Sequence, residues 1–305
     1  MTTRSDENLR LQRALRSLDG LSVGDAFGEN FFAIGSDPLL EKMYFSTRKL
    51  PEHRWRWTDD TAMALSIVEV LRERGEIDQD ALAEKFAQRY AQDDRRGYGG
   101  MAHGILSAIG AGESWRRAAG AIYNGQGSKG NGGAMRVAPL GAYFADDLEN
   151  LVDQARRSAE VTHAHPEGQA GAIAVALATA FVANHPQAAA DAREAFFEFV
   201  IANTPDSQTR AGIDAARGLP ATATVQQAVA MLGNGSGVIA PDTVPFCIWN
   251  AARTLGDFEE AMWTTASAGG DIDTNCAIIG GIIAFSEPGG QPPAEWLARR
   301  EPLSF

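Results

Sequence analysis

Cysteine is scarce in this 305-residue chain: Cys247 and Cys276 stand alone, with no Cys-x-x-Cys and no Cys/His spacing of the kind that holds zinc. That leaves no disulfide framework or thiolate zinc cage and predicts a reduced, cytoplasmic protein. Positive charge is also short, 27 Lys and Arg against 39 Asp and Glu, for a net charge of −12. Such a balance argues against a broad nucleic-acid or anionic-membrane surface. A phosphate-bearing ligand would need positive charge supplied locally, which a bound metal ion can do. No apolar run reaches transmembrane length without glycine, polar or charged residues, and polar Met1–Arg10 lacks the apolar region of a signal peptide. Alternating runs of β-branched residues and hairpin turns are missing, as is any long polar linker.

What is present is helix after helix. Apolar residues at helical spacing, or Ala-rich composition, predict helices over 8–27, 60–74, 78–92, 101–110, 134–145, 148–162, 167–184, 190–203, 206–217, 224–232, 243–255, 257–268 and 274–286. The expectation is one all-α domain spanning 1–305. Irregular chain is expected over 30–57, 123–133, 233–242 and the Pro/Gly-rich stretch from Glu287. The first of these holds Phe31, Phe32, Tyr44, Phe45, Trp55 and Trp57, rings that either wall a pocket or pack on the helical core.

Two distant acidic clusters carry the chemistry: Thr58-Asp59-Asp60-Thr61 and Asp271-Ile272-Asp273-Thr274. Each precedes an apolar helix, so each sits at a loop-to-helix junction where neighbouring side chains can converge. Four carboxylates meeting without a nearby Lys or Arg would repel one another unless a cation lay among them, and a dinuclear Mg²⁺-type site is the natural reading. Ordinary capping explains either cluster taken singly. The same construction made twice, with two carboxylates each time, is harder to explain that way.

Between the clusters runs the glycine-rich segment Tyr123–Arg136, with Gly127, Ser128, Gly130, Asn131, Gly132 and Gly133. Its backbone N–H groups can approach an anion, and a helix starting near Ala134 would add its positive end, so pyrophosphate is a candidate ligand. It matches neither a P-loop nor a Rossmann fingerprint, and a flexible connector is the plain alternative. Tyr123 beside it suits a stacked nucleobase. In Thr162-His163-Ala164-His165, His163 is placed to bond a phosphate or a ribose hydroxyl, while zinc lacks a third nitrogen or sulfur ligand.

Taken in order, Gly24-Asp25-Ala26-Phe27-Gly28, Trp57-Thr58-Asp59-Asp60-Thr61, Gly127-Ser128, Gly130 to Arg136, Thr162-His163 and Gly269-Gly270-Asp271-Ile272-Asp273-Thr274 resemble the ADP-ribosylglycohydrolase family over nearly the whole chain. The resemblance implies an orthogonal bundle of helices with a central cleft holding two Mg²⁺ or Mn²⁺ ions. It implies Thr58, Asp59, Asp60, Asp271, Asp273 and Thr274 as metal ligands, Asp273 bridging. It places diphosphate and ribose on the glycine loop, a phosphate contact at His163 and adenine at Tyr123. Two departures stand out: Ile272 occupies a position where the family usually has threonine, and Glu29 follows Gly28 directly where the family's gating or catalytic glutamate falls a few residues later.

The implied activity is hydrolysis of the glycosidic bond between ADP-ribose and a protein side chain or small acceptor, with Glu29, Asp60 and Asp273 as catalytic residues. A monomer is expected. The rival readings are an ADP-ribose-binding or immunity-type protein without turnover, a hydrolase of another ADP-ribose derivative, and a purely structural, crystallin-like role.

Overall fold

The protein is seen in a computed structural model that describes residues 4–34, 38–187 and 192–305. Residues 1–3, 35–37 of the expected irregular stretch and 190–191 of the expected helix 190–203 lie outside them. The chain runs through α1 (Arg4–Ile34), α2 (Pro38–Thr47), α3 (Asp59–Arg74), α4 (Gln79–Gln92), α5 (Gly100–Gly110), α6 (Trp115–Gly120), a single turn α7 (Ile122–Gly125), α8 (Ala138–Tyr143), α9 (Leu148–Glu160) and α10 (Pro166–Asn184). It continues through α11 (Arg193–Asn203), α12 (Gln208–Gly218), α13 (Val225–Leu232), α14 (Ala240–Arg253), α15 (Phe258–Ser267), α16 (Ile272–Ile283) and α17 (Ala294–Arg299). The described residues hold no strand, and the all-α reading stands; extended pairing is limited to isolated bridges Trp55–Arg300 and Gly130–Ile239.

Two helices of more than one turn form where irregular chain was expected, α2 and α17, and α6 forms where no element was assigned. Pro38 opens α2 and Pro293 immediately precedes α17. In both, proline marks a helix start, where its missing N–H costs nothing. The helix expected over 134–145 is shorter: α8 begins at Ala138 and takes Pro139 in its first turn, the position where the missing N–H costs nothing. Upstream of it the chain makes only a 3₁₀ turn, Asn131–Gly133.

The innermost contact is between α1 and α16, which run antiparallel at backbone distance. Gly20, Gly24 and Gly28 recur every fourth residue and so share one face of α1. A Cβ on Gly20 would lie 2.2 Å from the carbonyl oxygen of Gly280, on Gly24 2.2 Å from that of Cys276, and on Gly28 2.6 Å from Cα of Asp273. Gly280 is bound reciprocally, its own Cβ position falling 2.3 Å from the Gly20 carbonyl oxygen. The two backbones therefore touch along the seam. α10 is long and apolar enough to cross a membrane, but 78% of that stretch is buried inside the protein, as befits a central core helix.

The early aromatic residues pack on this core. Trp55, Phe31 and Trp57 are buried, and Phe27 and Phe31 meet Trp263 at 5.1 and 5.6 Å between ring centres; Phe32 remains exposed.

Gly24→Ala should therefore cost about 1–3 kcal/mol or more, because the added methyl meets backbone that cannot rotate away. Gly104→Ala, on the exposed face of α5 with open space around its Cβ position, should be neutral or gain up to about 1 kcal/mol from helix propensity. Urea-unfolding midpoints of the two variants check the contrast.

Candidate active site

The first acidic cluster opens α3. Thr58 caps the helix, its hydroxyl accepting from the backbone N–H of Asp60 at 3.4 Å, so ordinary capping is part of what this cluster does. It is not the whole of it. Asp25, buried on α1, accepts from four donors at this junction: the backbone N–H groups of Thr58 and Thr61 and both threonine hydroxyls. One carboxylate thus staples the loop entering α3 to the glycine-lined helix. Arg96 braces the same loop from outside: its guanidinium lies 3.6 Å over the Trp57 ring, donates to the Trp57 carbonyl at 2.9 Å and pairs with both Glu301 oxygens. The Arg96 carbonyl in turn accepts from the N–H of Asp59 at 2.7 Å.

The second cluster opens α16, and Asp271 at its N-cap makes no capping bond with its side chain. Instead, Oδ2 of Asp271 accepts from Nδ2 of Asn131 at 2.7 Å, while the same amide nitrogen donates to Thr243 Oγ1 at 3.0 Å. Asn131, expected to hold substrate, thus spends its amide N–H groups tying the glycine segment to the acidic cluster. Ile272 is buried among apolar side chains, so the missing threonine is replaced by core packing.

Burial and mutual repulsion dominate the electrostatics. Desolvation raises Asp25 to about 6 despite its four donors, and it raises Asp59 to about 8 with Asp25 and Asp271 adding repulsion. Asp60 and Asp273 are pushed well above the carboxylate range, first by burial, then by the other aspartates. Asp271 is raised as well, with the Asn131 bond opposing. Two cations lie within their field, contrary to the expectation from sequence: Arg96, attracted to Asp25, and fully buried Arg136, which burial lowers to about 9, still cationic at neutral pH and attracted to Asp59.

These groups front a cleft of about 720 Å³. Asp59, Asp60, Asp271, Asp273 and Thr274 line one part of it; Gly127, Ser128, Gly130, Asn131, Gly132 and His163 line another, with Tyr123 beside them. Three expected site residues stand off the lining. Thr58 lies beneath the carboxylates, Gly133 packs behind the loop against Ala159, and Glu29 is exposed outside the cleft, its carboxyl raised by partial desolvation against a pull from Arg56.

The glycine segment is pinned rather than flexible. Gly127 N–H donates to Ile122, Gly130 N–H to Ser128 Oγ at 3.1 Å and Asn131 N–H to the Val238 carbonyl, so these amides hold the loop and are not free for an anion. No helix starts at Ala134 to lend a dipole. The glycines do something else: the His163 ring lies against Gly130 and Gly132, where a Cβ would come within 3.0 and 2.7 Å of it. Tyr123 and Asn124 both hold left-handed backbone, φ 51° and 58°, which presents the Tyr123 ring outward, 64% exposed.

Hard oxygen donors make up the acidic end, as Mg²⁺ and Mn²⁺ prefer. Oδ1 of Asp60 is buried with no hydrogen-bond partner, an orphan that a cation would satisfy. Among the described residues no three acidic, histidine or cysteine side chains are already gathered as an ion cage, so the carboxylates would have to draw together around an ion. Asp25, Arg136 and Thr162 were legible only as letters inside motifs; a buried Asp between glycines was the signal available for the first.

The sequence profile of the ADP-ribosylglycohydrolase family matches residues 6–302. The chain is 30% identical over 275 residues to the ADP-ribosylhydrolase ARH3 of Bos taurus, covering 79% of this chain and 73% of that one. It is 31% identical over 287 residues to an uncharacterised protein of Archaeoglobus fulgidus, covering 91% and 88%. A solved structure described as an ADP-ribosylglycohydrolase-related protein complex superposes with a TM-score of 0.67 at 25% identity, covering 96% of this chain and 94% of that one.

A carboxyl raised by folding stabilises fully below its unfolded value, and that stability is lost as pH rises through the folded value, here about 6 for Asp25 and about 8 for Asp59. His163, lowered to about 3 by burial, acts in the opposite sense but only below its ordinary 6.5. Between pH 6.5 and 8.5 the metal-free protein should therefore lose stability, by up to about 1.4 kcal/mol per pH unit for each proton released. Saturating Mg²⁺ should flatten the slope. Urea midpoints in EDTA and in Mg²⁺ measure both, and a metal-free stability that climbs toward pH 8.5 would contradict this account. Asp25→Asn, which turns an acceptor toward four donors into an amide, should weaken Mn²⁺ binding about 10–100-fold by titration followed with electron paramagnetic resonance.

Proposed function

This chain belongs to the ADP-ribosylglycohydrolase family, and on that premise we propose that its cleft hydrolyses the glycosidic bond joining C1″ of ADP-ribose to an acceptor, a modified protein side chain or a small conjugate. The observation that carries the reading is the unpartnered, buried Asp60 Oδ1 among five raised carboxylates, facing the same cleft as the glycine segment and His163. The family uses divalent metal ions. Asp59, Asp60, Asp271, Asp273 and Thr274 would hold them, with Thr58 placed beneath, its hydroxyl accepting from the Asp60 backbone N–H. When bound, such ions neutralise the carboxylates and polarise ribose hydroxyls and water.

The protein's own groups supply the rest. The diphosphate lies along the Ser128–Gly132 side of the cleft, where the Gly130 and Asn131 amides are already bonded within the protein, so His163 offers it a hydrogen bond, and the outward Tyr123 ring stacks on the adenine. Positive charge that develops on the ribose ring as the bond to the acceptor breaks is favoured by the surrounding aspartates. Water adds its hydroxyl to C1″ and yields a proton to Asp60; the acceptor leaves with its bonding pair and takes up a proton. Glu29, outside the lining, takes no part in that transfer.

Release of free ADP-ribose from arginine-, serine- and poly-ADP-ribosylated substrates, with Mg²⁺, Mn²⁺ or EDTA, tests this. At least one substrate should be cleaved in a metal-dependent manner, with Asp60→Ala slowed by about 10²-fold or more. Tight ADP-ribose binding with no release from any substrate would point to a binding protein without turnover.

A further inference from the structure

Behind His163 lies a chain of hydrogen bonds that reaches no further than the protein interior. Arg136 is fully buried, its Cζ 4.4 Å above the Phe86 ring, and its Nη2 donates to the Ser158 carbonyl at 3.0 Å and to Thr162 Oγ1 at 2.8 Å. Thr162 Oγ1 is in turn 2.8 Å from His163 Nδ1. A guanidinium only donates, so Thr162 accepts from Arg136 and must place its own proton elsewhere. Thr162 is buried, and among the described residues His163 Nδ1 is the one acceptor its hydroxyl meets. If Nδ1 carried the imidazole proton instead, the threonine proton would be buried without a partner, an arrangement buried polar groups avoid.

We propose that Thr162, oriented by Arg136, is a positioning residue that fixes His163 in one neutral tautomer, Nδ1 accepting and Nε2 bearing the proton, so that the cleft presents a hydrogen-bond donor to an anionic oxygen of the ligand. The ring fits there because Gly130 and Gly132 lack side chains: a Cβ at either position would lie 3.0 Å from Nε2. A neutral donor fits the setting: burial and the nearby guanidinium both oppose an imidazolium here. That the oxygen belongs to a diphosphate rests on the function proposed above; the tautomer does not.

Long-range ¹H–¹⁵N spectra of the metal-free, ligand-free protein labelled at its five histidines, with His163→Gln to assign the signal, read the tautomer directly. The expected result is a single species protonated at Nε2. Thr162→Val, which keeps the shape and removes the hydroxyl, should abolish that single species and weaken ADP-ribose binding about tenfold; Thr162→Ser should keep both as in the parent. Urea midpoints establish that the variants are folded. A proton on Nδ1 in the parent protein, or an unchanged Nε2 tautomer in Thr162→Val, overturns the proposal. Failure of the parent protein to bind ADP-ribose would count against the proposed function while leaving the tautomer result standing.

Discussion

The close approach of α1 and α16 is the constraint on which the rest depends. Glycines on both helices remove the side chains that would hold two backbones apart, and the seam ends where Gly28 meets Asp273. α1 carries Asp25 within that seam, and Asp25 gathers the start of α3. The separation between the two acidic clusters is thus fixed by a crossing distance and a staple, both made of backbone and short side chains with little freedom to move. A site that must bring like charges together is built on the stiffest part of the fold.

That placement has an energetic cost, visible in the upward displacement of every carboxylate in the group. A chain selected only for stability would replace such residues with apolar ones or pair each with a base. Here a single buried guanidinium leans toward Asp59 and is otherwise occupied with the Thr162 side of the cleft. The strain is local and of one sign, as at sites where structure is traded against the binding of a counter-ion.

Much of this was readable from residue order. Both acidic clusters, the glycine segment and His163 announce themselves by type and spacing, and all reach the same cleft. The uses of individual atoms did not follow. Asn131 was assigned to a ligand through the resemblance of its motif, yet Asp271 and Thr243, more than a hundred positions away, claim its amide nitrogen. Arg136 followed Met135 at the end of a motif with nothing to mark it as buried. Proline went unread as a start signal: Pro38 opens α2, Pro293 immediately precedes α17, and Pro139 lies in the first turn of an α8 that begins later than expected. Local pattern specifies which element forms; the partner of a buried polar group depends on chain far away in sequence, where periodicity carries no information.

The bracing of Arg96 by Glu301 has a consequence for the order in which the molecule is made. Asp59 sits on a peptide whose partner, Arg96, is held by a residue more than two hundred positions later, and α1 needs α16 across a similar gap. As the chain leaves the ribosome, its first helix and first acidic cluster must wait until more than two hundred further residues have been made before meeting what orders them. Assembly of the cleft is therefore a late, long-range event, slow by the standards of helical proteins, whose contacts are mostly local.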